Sequence, residues 1–257
     1  MHILRLKIVI SIMRKARKIE KDNIIVVCTI VLCFMLTLAA CVTFSGEGFI
    51  GVFFSNSNVK AESVFAVATG SYADIALARA NADLIKNRGG AGYVVGKEEF
   101  EIVYSVYRSK EEAQKVCDNL GDNTVYVKEI EIAKGKFSWC DKGLQKTVNN
   151  ALLYFDVAFE GLFSTAKNLA ENKTEIKDAN VQIEVLKAQI ADIKSVFYKN
   201  TENCAQDEIT QIKLALVTCE ALLNNISTSG GVAKTASSIR YQLVQLVFCR
   251  QALMASI

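Results

Sequence analysis

The first long apolar pattern runs from Ile24 to Phe44 (IIVVCTIVLCFMLTLAACVTF), 21 residues without a charge. At about 1.5 Å per residue such a helix is roughly 30 Å long, the thickness of a bilayer's hydrocarbon core. A soluble core helix seldom runs so far without a polar face. Residues 24–44 are therefore expected to form one transmembrane helix in contact with membrane lipid. Residues 45–62 (SGEGFIGVFFSNSNVKAE) mix Gly, Ser, Asn and Phe and read as a juxtamembrane linker.

Beyond residue 62 the pattern changes to short alternations. Val64–Thr69 is apolar and β-prone, and Gly70-Ser71-Tyr72 makes a turn. Ala73–Asn87 follows as a helix, with Ile75, Ala76, Ala80 and Leu84 on the face expected to be buried. Gly89-Gly90-Ala91-Gly92 ends it. Tyr93-Val94-Val95 starts a second strand, and Glu98-Glu99 turns it into a third, Phe100–Tyr107. Ser109 reads as an N-cap with Glu112 three positions on, so a helix runs from there to Leu120. Thr124–Ile132 alternates as a fourth strand. The order β-α-β-β-α-β over residues 63–135 is that of a split-βαβ unit with a small antiparallel sheet.

Residues 143–257 carry helical spacing throughout. Leu144, Val148, Leu152, Phe155, Phe159 and Leu162 line one helix; Ile176, Ala179, Ile183, Leu186, Ile190, Ile193 and Phe197 line a second. Ile209, Ile212, Leu216, Cys219, Leu223 and Ile226 line a third, and Val232, Ala236, Ile239, Leu243, Leu246 and Leu253 a fourth. Breaks fall near Glu171–Thr174, Lys199–Asn203 and Ser227–Gly231. An antiparallel bundle of three or four helices follows, with an intermolecular coiled coil as the alternative. The fold class expected overall is α+β: a sheet domain plus a C-terminal all-α bundle, behind one transmembrane helix.

Charge fixes the orientation. Residues 1–22 hold seven Lys/Arg against Glu20 and Asp22, a net +5 in a chain whose total is +3, so the remainder is slightly acidic. The basic residues belong to a tail, 1–23, and not to a nucleic-acid-binding face. Their place directly before the span puts the N-terminus in the cytoplasm and the bulk of the chain outside. Met13 opens a more ordinary start than the apolar residues before it, and the start at Met1 or Met13 stays open. Leu38-Ala39-Ala40-Cys41 resembles a lipobox, which gives the alternative of a lipoprotein lipidated at Cys41. Five cysteines lie beyond the span (Cys117, Cys140, Cys204, Cys219, Cys249), an odd number that excludes a complete disulfide framework within one chain. They read as small buried thiols.

The stretch FAVATGSYADIALARANADLIKNRGGAGYVV, followed by YSVYRSKEEAQKVCDNL, resembles the SPOR domain, the sporulation-related module of bacterial envelope proteins. Val67–Tyr72 stands for the family's first strand end, Ala76, Ala80 and Leu84 for its helix, and Ser109–Ala113 for its second half. The resemblance covers about 70 residues. It implies a small sheet with two helices on one face, and binding of peptidoglycan glycan strands stripped of stem peptides. It places Ser71 and Tyr72 at the groove; alternation from Ala68 puts Glu101 and Val103 on the open sheet face, with Tyr93, Tyr126 and Lys128 as neighbours. This chain departs from the family at Ala68, where a Gln is usual, and at Ser105-Val106, where a Gly-Pro turn is usual.

Enzymatic chemistry has little footing. The one histidine is His2, which removes imidazole-ligated zinc and Ser-His or Cys-His couples from the body of the chain. Glu98-Glu99 and Glu111-Glu112 sit in a turn and a helix start, and no phosphate-loop or nucleophile-elbow motif is present. No catalytic residue, cofactor or metal is assigned. Two functions are expected. One is a membrane-anchored extracytoplasmic glycan-strand binder of the division or sporulation envelope. The other is a structural protein that docks a septal (divisome) or spore-envelope partner through its helices, with a degenerate SPOR-like unit.

Overall fold

The computed structural model describes residues 62–135 and 142–257, apart from the side chain of Lys142. The span at 24–44, Cys41, most of the linker and Cys140 lie outside the described residues. Among those described, no helix is long and apolar enough to cross a membrane. The fold is α+β and mostly helical, with one four-stranded antiparallel sheet and six helices among the described residues.

Four strands and two helices come first: β1 (Glu62–Tyr72), α1 (Ile75–Asn87), β2 (Tyr93–Gly96), β3 (Phe100–Tyr107), α2 (Lys110–Leu120) and β4 (Val125–Ile132). The sheet order is β2-β3-β1-β4, and every neighbouring pair is antiparallel. Two glycines make the connections close. Gly92 has φ 56°, and a Cβ there would lie 2.4 Å from the Ala82 carbonyl oxygen; Gly96 has φ 122°, and a Cβ would lie 1.8 Å from that of Glu99. Both positions need a residue without a side chain.

Helices α1 and α2 pack on one face of the sheet. Ala82 and Ile85 of α1 meet Ile102, and Ala113 of α2 meets Val67 and Val125. The buried face of α1 is Ala78, Ala82 and Ile85, which corrects the sequence expectation of Ile75, Ala76, Ala80 and Leu84. Leu84 is 59% exposed. This alanine-rich helix carries two apolar stripes, and the close approach of Gly92 to Ala82 selects the second. At α2, Ser109 is the N-cap and its Oγ accepts the Glu112 N–H at 3.3 Å. The hydroxyl itself donates to Glu111 Oε2 at 2.6 Å, while the Glu112 carboxylate pairs with Lys167.

Four helices complete the chain: α3 (Lys142–Ala170), α4 (Ile176–Asn200), α5 (Asp207–Asn224) and α6 (Val232–Ser256). Short connections make consecutive helices antiparallel neighbours, and α6 closes the ring by packing against α3 as well as α5. Tyr154 lies wholly inside this bundle and donates to the Leu186 carbonyl at 2.7 Å. Burial raises its phenol far above the ordinary tyrosine value. Tyr154→Phe removes the donor and strands that carbonyl, so we expect a loss of about 1–1.5 kcal/mol in urea denaturation, with the fold retained.

Helix α6 differs from the others in being buried on several sides. Ile239, Leu243 and Leu246 lie on one stripe, while Val244, Val247 and Arg250 are also enclosed. A helix apolar all round is a buried helix. The reason is its position between the bundle and the sheet face opposite α1 and α2.

Candidate functional site

Residues directly opposite one another in an antiparallel pair share a face, and so do residues two apart along a strand. Ala68 faces Val103 on β3 and Tyr126 on β4; Ala66 faces Lys128; Tyr93 faces Val103, and Val95 faces Glu101. The strand register therefore gathers Tyr93, Glu101, Tyr126 and Lys128 onto the face of Ala68, as the sequence suggested. That face was expected to be open. It is covered by α6. Ala68 has no exposed surface and Val103 is 1% exposed. The Tyr93 ring stacks on Phe248 with centroids 5.8 Å apart and meets Tyr241 edge-on at 5.2 Å. Burial raises the Tyr93 phenol above its ordinary value, with Tyr241 adding to the effect and a hydrogen bond from Gln245 opposing it.

One end of the face stays in contact with solvent. Lys128 Nζ pairs with Glu101 Oε2 at 2.5 Å, and Tyr126 hydrogen-bonds the same carboxylate. Partial burial alone would raise the Glu101 carboxyl, but the hydrogen bonds from Lys128 and Tyr126 and the Lys128 charge outweigh it and hold it below the usual range. Partial burial, with the bonded Glu101 carboxylate, pushes the Tyr126 phenol up to about 12. The sign follows for pH. The stabilisation from Glu101 is complete above the unfolded carboxyl value and is lost as pH falls through the lower folded one. Lys128→Ala should raise the Glu101 carboxyl toward the ordinary glutamate value in an NMR titration.

Ser71 and Tyr72 lie elsewhere. The Ser71 hydroxyl donates to Glu99 Oε2 at 2.9 Å, across the base of the β2–β3 turn. Tyr72 packs with Ala82, Ile85 and Ile102 on the α1 side of the sheet, its ring folded over Gly70. So the six candidate residues divide. Glu101, Tyr126 and Lys128 form one hydrogen-bonded group, Tyr93 is under α6, and Ser71 and Tyr72 belong to a different surface.

Sequence reasoning missed the charges that fasten α6 to the sheet. Arg108, at the end of β3, bonds Glu62 Oε2 on β1 at 2.6 Å, Asp156 Oδ1 on α3 at 2.5 Å and Glu160 Oε1 at 3.2 Å. Arg250 on α6, 6% exposed at its side chain, forms an ion pair with Glu62 Oε1 at 2.5 Å and hydrogen-bonds Asp156 through both terminal guanidinium nitrogens at 2.7 and 3.0 Å. Arg108 also lies 4.2 Å over the Phe159 ring. Two arginines and two shared carboxylates thus tie β1, β3, α3 and α6 at one point. Burial raises the Arg250-proximal thiol of Cys249 to about 11 and that of Cys219 further still. Neither is poised as a nucleophile. Among the described residues, no group of three or more His, Cys, Asp or Glu could hold a metal ion.

Neither a family model, nor a curated protein, nor a solved structure matches the chain.

Proposed function

We propose that this is an envelope protein that works as a structural and docking element, tethered outside the membrane, with a SPOR-like sheet serving as the platform for its helices. The reading rests on one observation: α6 occupies the sheet face on which a glycan strand would lie, seating Phe248 and Tyr241 on Tyr93. The sheet order β2-β3-β1-β4 with antiparallel neighbours supports reading residues 63–135 as a split-βαβ unit. The outer surface of α4 supports the docking reading. Val181, Val185 and Val196 fall four and eleven residues apart, on one face of the helix, and each is more than half exposed.

A second reading is favoured by the exposed Glu101–Tyr126–Lys128 group, which offers an aromatic face beside polar groups as glycan sites do. Sedimentation of the full-length chain with purified sacculi, intact and stripped of stem peptides, separates the two. The docking reading expects no retention on either. Retention on stripped sacculi that is lost in Tyr126→Ala overturns it. A photo-crosslinking residue at Val185 should meanwhile give one discrete adduct in cells, abolished by Val181→Lys, with the protein still folded.

A further inference from the structure

A cleft of about 380 Å³ opens where β3, α2, α3 and α6 meet, on the other side of α6's contact with the sheet edge. Its walls are apolar and aromatic: Tyr107 and Phe163 meet edge-on with centroids 5.6 Å apart, beside Val116 and Leu243. Its polar groups are the hydroxyls of Ser105 and Tyr107, the guanidinium of Arg240, the rim lysines 115 and 167, and the carboxylates of Glu112 and Glu171.

The charges in the cleft do not balance. Glu112 is paired with Lys167 at 3.4 Å, and Glu171 is paired with Lys173 at 2.6 Å. Arg240 has no carboxylate within ion-pair distance among the described residues. Its one hydrogen bond runs from Nη1 to the Gly89 carbonyl at 2.6 Å. A guanidinium carries five N–H donors, so four meet no protein acceptor. Burial holds its ionisation below the ordinary arginine value, partly countered by Tyr107. Elsewhere in this chain the enclosed arginines, 108 and 250, each hold two or more carboxylates. Arg240 is half-buried, and its remaining N–H groups open to the cleft, where they are available to an oxyanion.

We propose that this cleft binds a small organic anion, with a phosphate or carboxylate head at Arg240 and the Ser105 and Tyr107 hydroxyls and an apolar body against Phe163 and Leu243. The volume suits a single small molecule rather than a polymer. Arg240 supplies a planar fork matched to an oxyanion, and Lys115, exposed on α2, adds charge at the mouth. The site is independent of the sheet face discussed above and of any docking through α4.

The test is calorimetric titration of the full-length chain with phenyl phosphate, with benzoate as the carboxylate arm and phenol as the neutral arm. At the ordinary ligand efficiency, about eleven non-hydrogen atoms give a dissociation constant on the order of 1 mM. Phenyl phosphate or benzoate should bind and phenol should not. Arg240→Gln should weaken the bound anion by about tenfold or more, as expected for loss of a charge-assisted pair. Arg240 also caps the Gly89 carbonyl, so that variant can be destabilised. Lys115→Ala is on the surface, should leave the melting temperature unchanged, and should weaken binding by about threefold. The proposal is overturned if neither anion binds, if phenol binds equally well, or if binding is the same in Lys115→Ala and in any folded Arg240→Gln.

Discussion

Asp156→Ala is expected to destabilise the chain by about 2–4 kcal/mol. Asp156 is the carboxylate shared by Arg108 and Arg250, and it touches both guanidinium groups at 2.5–3.0 Å. Removing one partner of an enclosed ion pair leaves the other charge without compensation, which costs about 3–5 kcal/mol when burial is complete. Asp156 is 30% exposed, and water offsets part of that loss, hence the lower range. Glu62 remains to both arginines and limits the damage further. The effect is read as a fall in the urea midpoint with an unchanged slope. A cycle with Arg250→Met separates the pair from the general loss of packing. The double variant should be less destabilised than the sum of the singles, because the stranded charge is gone. Additive losses would show that the two residues act apart.

This network explains why the sequence was only partly readable. Local signals were strong where they depended on nearby residues. The third strand occupies Phe100–Tyr107, directly after the turn read at Glu98-Glu99, Ser109 caps α2, and the four C-terminal stripes each became a helix. What depends on distant partners was not visible. Glu62, Arg108, Asp156 and Arg250 are separated by 46 or more residues at every bond that joins one to the next along the chain, and no short motif links them. The covered sheet face did leave a trace. Val64, Ala66, Val67 and Ala68 form a nearly unbroken apolar run, and all are fully buried. Strands buried on both faces read as continuous runs, whereas a strand with one wet face alternates. The same applies to α6, where Val244, Val247 and Phe248 lie off the stripe that faces the bundle. Read together, those two excesses of apolar residues point to each other. The candidate site was legible in register, since Tyr93, Glu101, Tyr126 and Lys128 do share a face. Its accessibility was not, because that is decided by a helix more than 100 residues away in sequence.

The substitution that bears most directly on accessibility is Ala68→Gln, with an expected loss of about 3–5 kcal/mol. Were the face open, as the family resemblance implies, a glutamine here would restore an amide on the glycan surface at little cost to the fold. Under α6 the outcome reverses. Ala68 has no exposed surface and sits between Val103 and Tyr126 on the neighbouring strands. Extra side-chain atoms in a close-packed site cost about 1–3 kcal/mol in displaced neighbours. An amide placed there without partners adds a further 1–3 kcal/mol or so. Such a loss is a large share of the stability of an ordinary domain and should lower the melting temperature by roughly 10 °C. Ala68→Val, which adds volume without polarity, should cost less than Ala68→Gln, and the difference measures the stranded amide. Hydrogen exchange offers an independent reading: amides of α6 from Tyr241 to Arg250 should exchange faster in Ala68→Gln, because the helix is the element that must give way. A glutamine variant as stable as the parent, with α6 protection unchanged, would falsify the covered face.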